Sequence, residues 1–261
     1  MSQPFGLLAP PFSGGAEYTV FSGSTTANEF GAWTQIGTSP AWPCNRLRLV
    51  GRTYSSGTAL PGLINVGIGP LSSPTIILQN MLFNSVGSYA SQQIDLFFRT
   101  FLPPNSIVSA QMAQNATTSY NFELGGLCWN DGSEKQNIIT SYVDTSISSG
   151  IQVAISASGS WGPVTITSSS GRFNKYAFSL LPVGSTNYLS ISSEILLNGN
   201  SISPALVTLL GNGSASLMET PAMWGEFECD IPEGSTITMQ GYASVGGALS
   251  FQIAFYGILE Y

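Results

Sequence analysis

The sequence predicts an all-β protein of two tandem, jelly-roll-like β-sandwich domains that are related by internal duplication. Three observations support this fold class. A stretch near the middle of the chain recurs at its end, and short apolar runs alternate with turns rich in Gly, Pro and Ser. No segment keeps the apolar spacing of an amphipathic helix for three turns. Short strands at regular spacing are typical of sandwiches and barrels.

The repeat relates residues 101–127 to residues 230–258. Pro103 aligns with Pro232, which lies 129 positions later (232 − 103). A two-residue insertion follows, after which Phe122 aligns with Ile253. A repeat spaced at about half of the chain indicates two copies of one domain.

Composition predicts where these domains begin and end. Residues 1–15 are rich in Pro and Gly, so we expect an extended arm, either packed on a neighbouring subunit or flexible. Residues 129–137, WNDGSEKQN, form the most polar stretch and predict a short junction at which the domains touch. The predicted domains are therefore the arm, a first β-sandwich over residues 16–130 and a second over residues 131–261.

Each half is predicted to contain a series of short strands rich in β-branched and aromatic residues. In the first half these are residues 17–21, 32–36, 46–50, 63–68, 75–78, 94–101, 106–113 and 119–127. In the second half they are residues 151–157, 164–167, 176–181, 188–191, 195–197, 205–210, 223–230, 236–242 and 249–259.

Apolar residues alternate along both strands of the repeated stretch, so they share one face of each strand. In the second copy the inward residues are Ile237, Met239, Gly241, Leu249, Phe251, Ile253 and Phe255. In the first copy they are Val108, Ala110, Met112, Tyr120, Phe122 and Leu124. We therefore predict that each copy is an antiparallel hairpin with one face buried.

Charge argues against nucleic acid as a partner. The formal net charge is −7, with seven basic residues, whereas binding to a phosphate backbone needs a basic surface. The basic cluster of Arg46, Arg48 and Arg52 is interpreted as pairing at the rim of the core or between subunits. Charged residues make up 8% of the chain, against roughly 25% in ordinary domains. Such a surface is typical of proteins covered by neighbours, or of a plain all-β protein with uncharged loops.

No sequence motif indicates a cofactor, a metal or a membrane span. The chain has no phosphate loop of the GxxxxGK[ST] kind, no calcium loop and no CxxC spacing. Its three cysteines, Cys44, Cys128 and Cys229, indicate a reducing compartment rather than a disulfide framework. No run of about 18 apolar residues is present. An acidic cluster contains Glu219, Glu226, Glu228, Asp230 and Glu233. It is interpreted as a cation site, as a charged face for a partner, or as an edge strand whose charges prevent pairing with other strands.

We expect a protein that is not an enzyme, with no catalytic residues. The chain has no histidine, which excludes the Ser-His-Asp and Cys-His arrangements and the commonest general base. A glycosidase needs only a pair of carboxylates, for which Glu226, Glu228 and Asp230 are the candidates.

Five tryptophans are candidates for stacking on sugars: Trp33, Trp42, Trp129, Trp161 and Trp224. Trp33 and Trp161 occupy equivalent positions of the repeat, which favours core packing. Trp42, which lies in a loop between Pro40 and Pro43, is the best candidate for an exposed contact.

The pattern of each half resembles virion structural proteins of tailed bacteriophages, over about a third of its length. The matching residues are Gly31-Ala32-Trp33, Leu102-Pro103-Pro104-Asn105-Ser106 and Gly125-Gly126-Leu127, then Gly159-Ser160-Trp161, Ile231-Pro232-Glu233-Gly234-Ser235 and Phe255-Tyr256-Gly257-Ile258. The first copy departs from the pattern at Asn105 and Gly126. The resemblance implies β-sandwich head-decoration or tail proteins with a repeated Pro-x-Gly-Ser hairpin, and it carries no catalytic residues.

The expected function is therefore that of a structural protein of a bacteriophage particle, either in capsid decoration or in the tail and baseplate. Its expected partners are other virion proteins and copies of itself, with a host surface glycan as a further candidate. Its expected location is the virion, assembled in the bacterial cytoplasm. The alternatives are a carbohydrate- or receptor-binding module and, after it, a glycoside hydrolase.

Overall fold

The structure is a computed structural model, and it describes most of the chain. The described residues are 5–7, 19–54, 60–85, 93–114, 121–147, 150–155, 158–183, 189–203, 206–210, 224–245 and 249–261. These residues form nineteen strands and one 3-10 turn, Thr145–Ile147. No helix within these ranges is long and apolar enough to cross a membrane.

The first nine strands lie before the predicted junction. They are β1 (Phe5–Leu7), β2 (Thr19–Ser22), β3 (Thr34–Thr38), β4 (Arg46–Tyr54), β5 (Leu60–Ile68), β6 (Thr75–Ser85), β7 (Gln93–Phe98), β8 (Ile107–Gln114) and β9 (Asn121–Trp129).

The remaining ten strands follow the junction. They are β10 (Asn137–Tyr142), β11 (Ile151–Ile155), β12 (Gly159–Thr167), β13 (Phe173–Val183), β14 (Leu189–Leu197), β15 (Asn200–Ser201), β16 (Leu206–Leu210), β17 (Trp224–Ile231), β18 (Ile237–Val245) and β19 (Leu249–Glu260). Strands β1, β10 and β15 were not predicted, and β14 unites two predicted runs.

The strands of the first half form two antiparallel sheets. In sheet 1, β9 pairs with β2 and β4, and β4 pairs with β7. In sheet 2 the order is β3-β8-β5-β6. Numbered from β2, the eight strands follow the orders 1-8-3-6 and 2-7-4-5, which is the arrangement of a jelly roll. The predicted all-β, jelly-roll-like class is confirmed.

The second half has the same strand order. Sheet 3 contains β11-β19-β13-β17, with β10 also on β19, and sheet 4 contains β12-β18-β14 with β15 and β16 on β14. Descent of the two halves by duplication stays a prediction, because β-sandwich architectures recur in proteins without sequence similarity. The predicted domain limits are likewise untested, although residues 130–136 connect the last strand of sheet 1 to the first strand of sheet 3. Residues 5–7 of the predicted arm pair with β9 of the same chain.

The predicted hairpins are wrong. Strand β8 pairs with β3 and β5 in sheet 2, whereas β9 lies in sheet 1. Strands β18 and β19 are divided between sheets 4 and 3 in the same way. An alternating strand reveals which of its faces is buried, but it does not reveal whether the next strand lies beside it or across the core. In this fold the two apolar faces meet across the core.

Strand β19 is buried on both faces, and Ser109 and Ala113 on the second face of β8 are buried as well, so the prediction of a single buried face fails for both strands. Phe251, Ile253 and Phe255 point into the core of the second sandwich. Ala254 and Tyr256 belong to the core cluster of the first half, because the outer face of sheet 3 packs against that half. Sheet 3 is therefore shared between the two sandwiches.

A cluster of ion pairs links the two halves of the chain at the interface between them. Glu260, at the end of β19, is almost buried and forms ion pairs with Arg99, Lys135 and Lys175. The Lys135 and Lys175 ammonium nitrogens lie 2.7 and 3.0 Å from its carboxylate oxygens. Arg99 belongs to the first half and Lys135 to the connection, so one carboxylate links three segments of the chain.

Candidate functional site

The outer face of sheet 4 carries a cleft of about 380 Å³, formed where β12, β18 and β14 lie side by side. Strand register places its polar residues on one face. Tyr242 of β18 lies between Ser160 of β12 and Ser192 of β14, and Gln240 lies opposite Glu194. All five line the cleft.

A break in the pairing of β12 lies at one side of this cleft. The register between β12 and β18 shifts between Trp161 and Val164. Gly162 lies in this irregular segment with a φ of 82°, a conformation that glycine adopts at no steric cost. The backbone of β12 approaches β18 closely here, since a Cβ on Gly162 would lie 2.7 Å from the carbonyl oxygen of Met239.

Glu194 supplies the charge of the cleft. Its carboxylate accepts a hydrogen bond from Gln240 Nε2 at 3.1 Å. Hydrogen bonds with Ser201 and then Gln240 lower the pKa of Glu194. The carboxylate is therefore ionised at neutral pH, and it can accept further hydrogen bonds but cannot donate one.

Trp161 borders the cleft, but its side chain packs in the core on the other side of sheet 4. Its side chain is 6% exposed, and its ring packs edge-on against Phe251 with the centroids 5.0 Å apart. Its indole Nε1 is buried and has no hydrogen-bond partner among the described residues. A Cβ at position 241 would lie 2.9 Å from that nitrogen, so the donor lies beside Gly241 on the core side of sheet 4. The predicted core packing of Trp161 agrees with its burial.

A second surface of interest is the outer face of sheet 1. Register places Arg48 between Phe97 of β7 and Leu127 of β9, with Val50 next along the same face. Val50 and Phe97 are 40% and 38% exposed, although both are large and apolar. Phe97 lies 5.5 Å from the ring of Trp129 at the end of the same face. These five residues are called the sheet 1 face below.

The predicted basic cluster does not assemble as one site. Arg46 is buried and forms an ion pair with Asp131 of the junction at 2.6 Å, which matches the interpretation of pairing at the rim of the core. Arg48 lies on the exposed sheet 1 face. The side chain of Arg52 lies outside the described part of the structure.

Three residues of the acidic cluster, Glu226, Glu228 and Asp230, lie on β17, an edge strand among the described strands of sheet 3, and Glu233 follows it. Glu226 forms an ion pair with Lys175 at 3.6 Å, whereas Glu228, Asp230 and Glu233 are exposed. The described residues contain no cluster of three or more acidic, Cys or His side chains that could hold a metal ion. This arrangement fits the interpretation of a charged edge strand. Glu219 lies outside the described residues.

The tryptophans predicted as sugar platforms are scattered. Trp33 is half-buried, and Trp42 is 38% exposed, as predicted for its loop. Trp129 packs on Phe97, and the side chain of Trp224 lies outside the described residues. Trp33, Trp42 and Trp129 do not line the cleft on sheet 4.

Sequence analysis did not identify Glu194 or Ser192 as site residues. The alternation of β18 was the available signal, since it puts Gln240 and Tyr242 on the face opposite the core. The sequence predicts the partner strand β14 as two separate runs, and it therefore does not indicate the register of β14 against β18.

No protein-family model and no curated protein matches the sequence. Solved structures that match the chain include PNGF-II, at 7% identity and a TM-score of 0.42, covering 94% of this chain and 65% of that one. Another is the VP2 subviral particle of infectious bursal disease virus, at 13% identity and a TM-score of 0.29, covering 97% and 75%. A third is the PBSX exported protein XepA, at 9% identity and a TM-score of 0.24, covering 98% and 86%. The chain therefore spans less than two thirds of PNGF-II.

Proposed function

We propose that this protein is a non-enzymatic structural component of a bacteriophage particle, in capsid decoration or in the tail and baseplate. It acts through interfaces with copies of itself and with other virion proteins, and its location is the virion. The proposal rests on a contrast between the outer face of sheet 3 and the outer face of sheet 1, which occupy equivalent positions in the two sandwiches. The outer face of sheet 3 is covered by the first half of the chain, whereas the sheet 1 face exposes large apolar side chains.

The covered face provides an example of how such a sheet can be used. Tyr256 projects from sheet 3, and its hydroxyl accepts a hydrogen bond from the backbone N–H of Leu82 at 3.0 Å. Leu82 lies on β6, which is an edge strand of sheet 2. A sandwich of this protein can thus receive the outer face of another sandwich along its edge. The sheet 1 face is the corresponding surface of the first half.

The composition of the sheet 1 face suits a protein partner. Aromatic residues and arginine are enriched in protein interfaces and dominate their binding energy. Phe97, Trp129 and Arg48 supply both kinds of side chain, and Val50 adds apolar area. Charged residues make up 8% of the chain. Few charged side chains therefore lose their hydration when its surface is buried against a neighbouring protein.

The test is the assembly state of the purified full-length protein, measured by light scattering after size exclusion, and its presence in purified particles. We expect concentration-dependent oligomers or docking to a particle protein. Phe97→Glu should weaken this association by about tenfold or more, because it places a charge in a desolvated contact. Leu71→Glu, at an exposed turn position away from this face, is the matched control. A wild-type protein that stays monomeric and is absent from particles would refute the proposal.

A further inference from the structure

We propose that Lys175 and Asn137 form an isopeptide bond within the chain, with Glu226 as the group that transfers the protons. This inference goes beyond the structural function and does not depend on it. It rests on the meeting of these three side chains in sheet 3, beside the interface between the two halves.

Strand register brings Lys175 towards Asn137 from the other side of β19. Asn137 of β10 is paired with Glu260, and the Lys175 ammonium nitrogen lies 3.0 Å from a carboxylate oxygen of that Glu260. Paired residues of neighbouring antiparallel strands carry their side chains on one face, with Cβ atoms about 5 Å apart. The amine of Lys175 is therefore held against the residue that flanks Asn137.

Glu226 of β17 contacts both reacting groups. Its Oε2 lies 3.6 Å from Lys175 Nζ, and its Oε1 accepts a hydrogen bond from Asn137 Nδ2 at 3.4 Å. One carboxylate oxygen therefore faces the nucleophile, and the other faces the leaving group. A carboxylate in this position can take a proton from one nitrogen as a general base and give it to the other as a general acid.

The reaction balances without an oxidant or a co-reactant. Lys175 Nζ gives one proton to Glu226 Oε2 and then attacks Asn137 Cγ, so that a C–N bond forms. The proton passes from Glu226 to Nδ2, the Cγ–Nδ2 bond breaks and ammonia leaves. Nζ releases its extra proton to the ammonia, which departs as an ammonium ion. The product is a secondary amide, the Glu226 carboxylate is regenerated, and each chain reacts once.

The charges of the cluster favour this product. Three cations, from Arg99, Lys135 and Lys175, face the two carboxylates of Glu226 and Glu260. The side chains of Lys175 and Glu260 are only 11% and 8% exposed. Charges held away from water are costly unless they are paired. Because the ammonium ion carries one positive charge away, the reaction leaves two cations with two carboxylates.

Two buried polar atoms beside the reacting groups have no hydrogen-bond partner among the described residues. They are the acceptor Asn137 Oδ1 and the donor Arg99 Nε. The backbone N–H of Asn137 donates to the carbonyl oxygen of Arg99 at 2.8 Å, so the two residues are neighbours. Oδ1 gains negative charge during the attack, and a cationic donor on the adjacent residue can stabilise it.

The new bond joins β10 to β13 across β19, which lies between them. A covalent cross-link stabilises a fold mainly by restricting the unfolded chain, as a disulfide does. The isopeptide bond therefore holds together the sheet that the two sandwiches share.

The test is the intact mass of the purified full-length protein, followed by peptide mapping. We expect the wild type to be lighter by one ammonia than its sequence requires, and one branched peptide to join Asn137 to Lys175. Lys135 is the only other lysine of the chain, so the mapping identifies the lysine without ambiguity. Lys175→Arg, Asn137→Ala and Glu226→Gln should each show the full mass of their sequence.

Two neighbours of the cluster provide matched controls, namely Lys135→Arg for the lysine and Asn174→Ala for the asparagine. Both residues contact Glu260, and both variants should lose ammonia as the wild type does. A wild type of full mass overturns the proposal. A loss that persists in Asn137→Ala also overturns it, since ring closure at Asn198-Gly199 would release ammonia as well. The assembly measurement above is independent of this result, so either idea can fail alone.

Discussion

At the scale of single residues, Tyr256 shows how a side chain can join two domains. Its hydroxyl accepts a hydrogen bond from Leu82 N, an N–H group on the edge strand of the other sandwich. An edge N–H that is buried without a partner destabilises the protein, so the hydroxyl both fills space and satisfies a donor. Burial raises the pKa of Tyr256 to about 12 from an ordinary value of 10.0.

Tyr256→Phe should lower the free energy of unfolding by about 1–3 kcal/mol at neutral pH, because Leu82 N loses its acceptor. It should also flatten the loss of stability at high pH. The folded protein holds the tyrosine proton up to about pH 12 and the unfolded chain up to about pH 10. This stabilisation is therefore complete below pH 10 and is lost as the pH rises towards 12.

Urea unfolding of the wild type and of Tyr256→Phe at pH 8 and at pH 11 measures both effects. The buried thiol of Cys128, whose pKa burial also raises to about 12, contributes equally to both proteins and cancels in the comparison. If the stability of the two proteins falls equally between these pH values, the assignment of the alkaline effect to Tyr256 is wrong.

At the scale of elements, β18 and β19 follow the same alternation but have different surroundings. Strand β18 has one buried face, with Ile237, Met239 and Ala243 inside and Tyr242 outside. Strand β19 is buried on both, since residues 251–258 are all buried. The difference arises because sheet 3 lies between two cores, whereas sheet 4 has one outer face that carries the cleft.

Phe251→Asp should destabilise the protein by more than about 4 kcal/mol, since it removes a large apolar group and buries an unpaired charge. Tyr242→Asp, nine positions earlier on the exposed face, should change stability by less than about 1 kcal/mol. Denaturant unfolding and the soluble fraction after expression measure the contrast. A soluble and fully folded Phe251→Asp protein would contradict the inward orientation of this side chain.

At the scale of the whole molecule, the two sandwiches depend on each other. The outer face of sheet 3 contributes Ala177, Ala254, Tyr256 and Ile258 to the core cluster of the first half. Glu260 receives cations from three segments, and removal of partners from an almost buried carboxylate is strongly destabilising. The two sandwiches therefore resemble one folding unit more than two independent domains.

Residues 131–261 expressed alone should be less stable than the full chain, because they expose the apolar outer face of sheet 3 and leave Glu260 without Arg99. We expect a lower melting temperature or aggregation of the fragment. Calorimetry of the full chain should show one cooperative transition. Two independent transitions, with the fragment melting at the temperature of its counterpart in the full chain, would show that the interface contributes nothing.

The sequence by itself determined the class of the fold, most of the strands and the inward residues of β8, β18 and β19. It did so because alternation and turn chemistry are local properties, visible in a window of a few residues. The polar residues 129–137 span the connection between β9 and β10, whereas the predicted domain limits stay a prediction. Strand β10 was missed because it begins directly at the end of that polar stretch.

Only the tertiary structure decided which strands are neighbours, and that decision separates β8 from β9 and makes both faces of β19 buried. It also brings Glu194 beside Gln240, although the two are 46 residues apart in the sequence. Pairing between distant strands depends on how the whole chain folds, and no local pattern records it. The candidate site is therefore a product of register across β12, β18 and β14, whereas the core that supports it could be predicted from alternation.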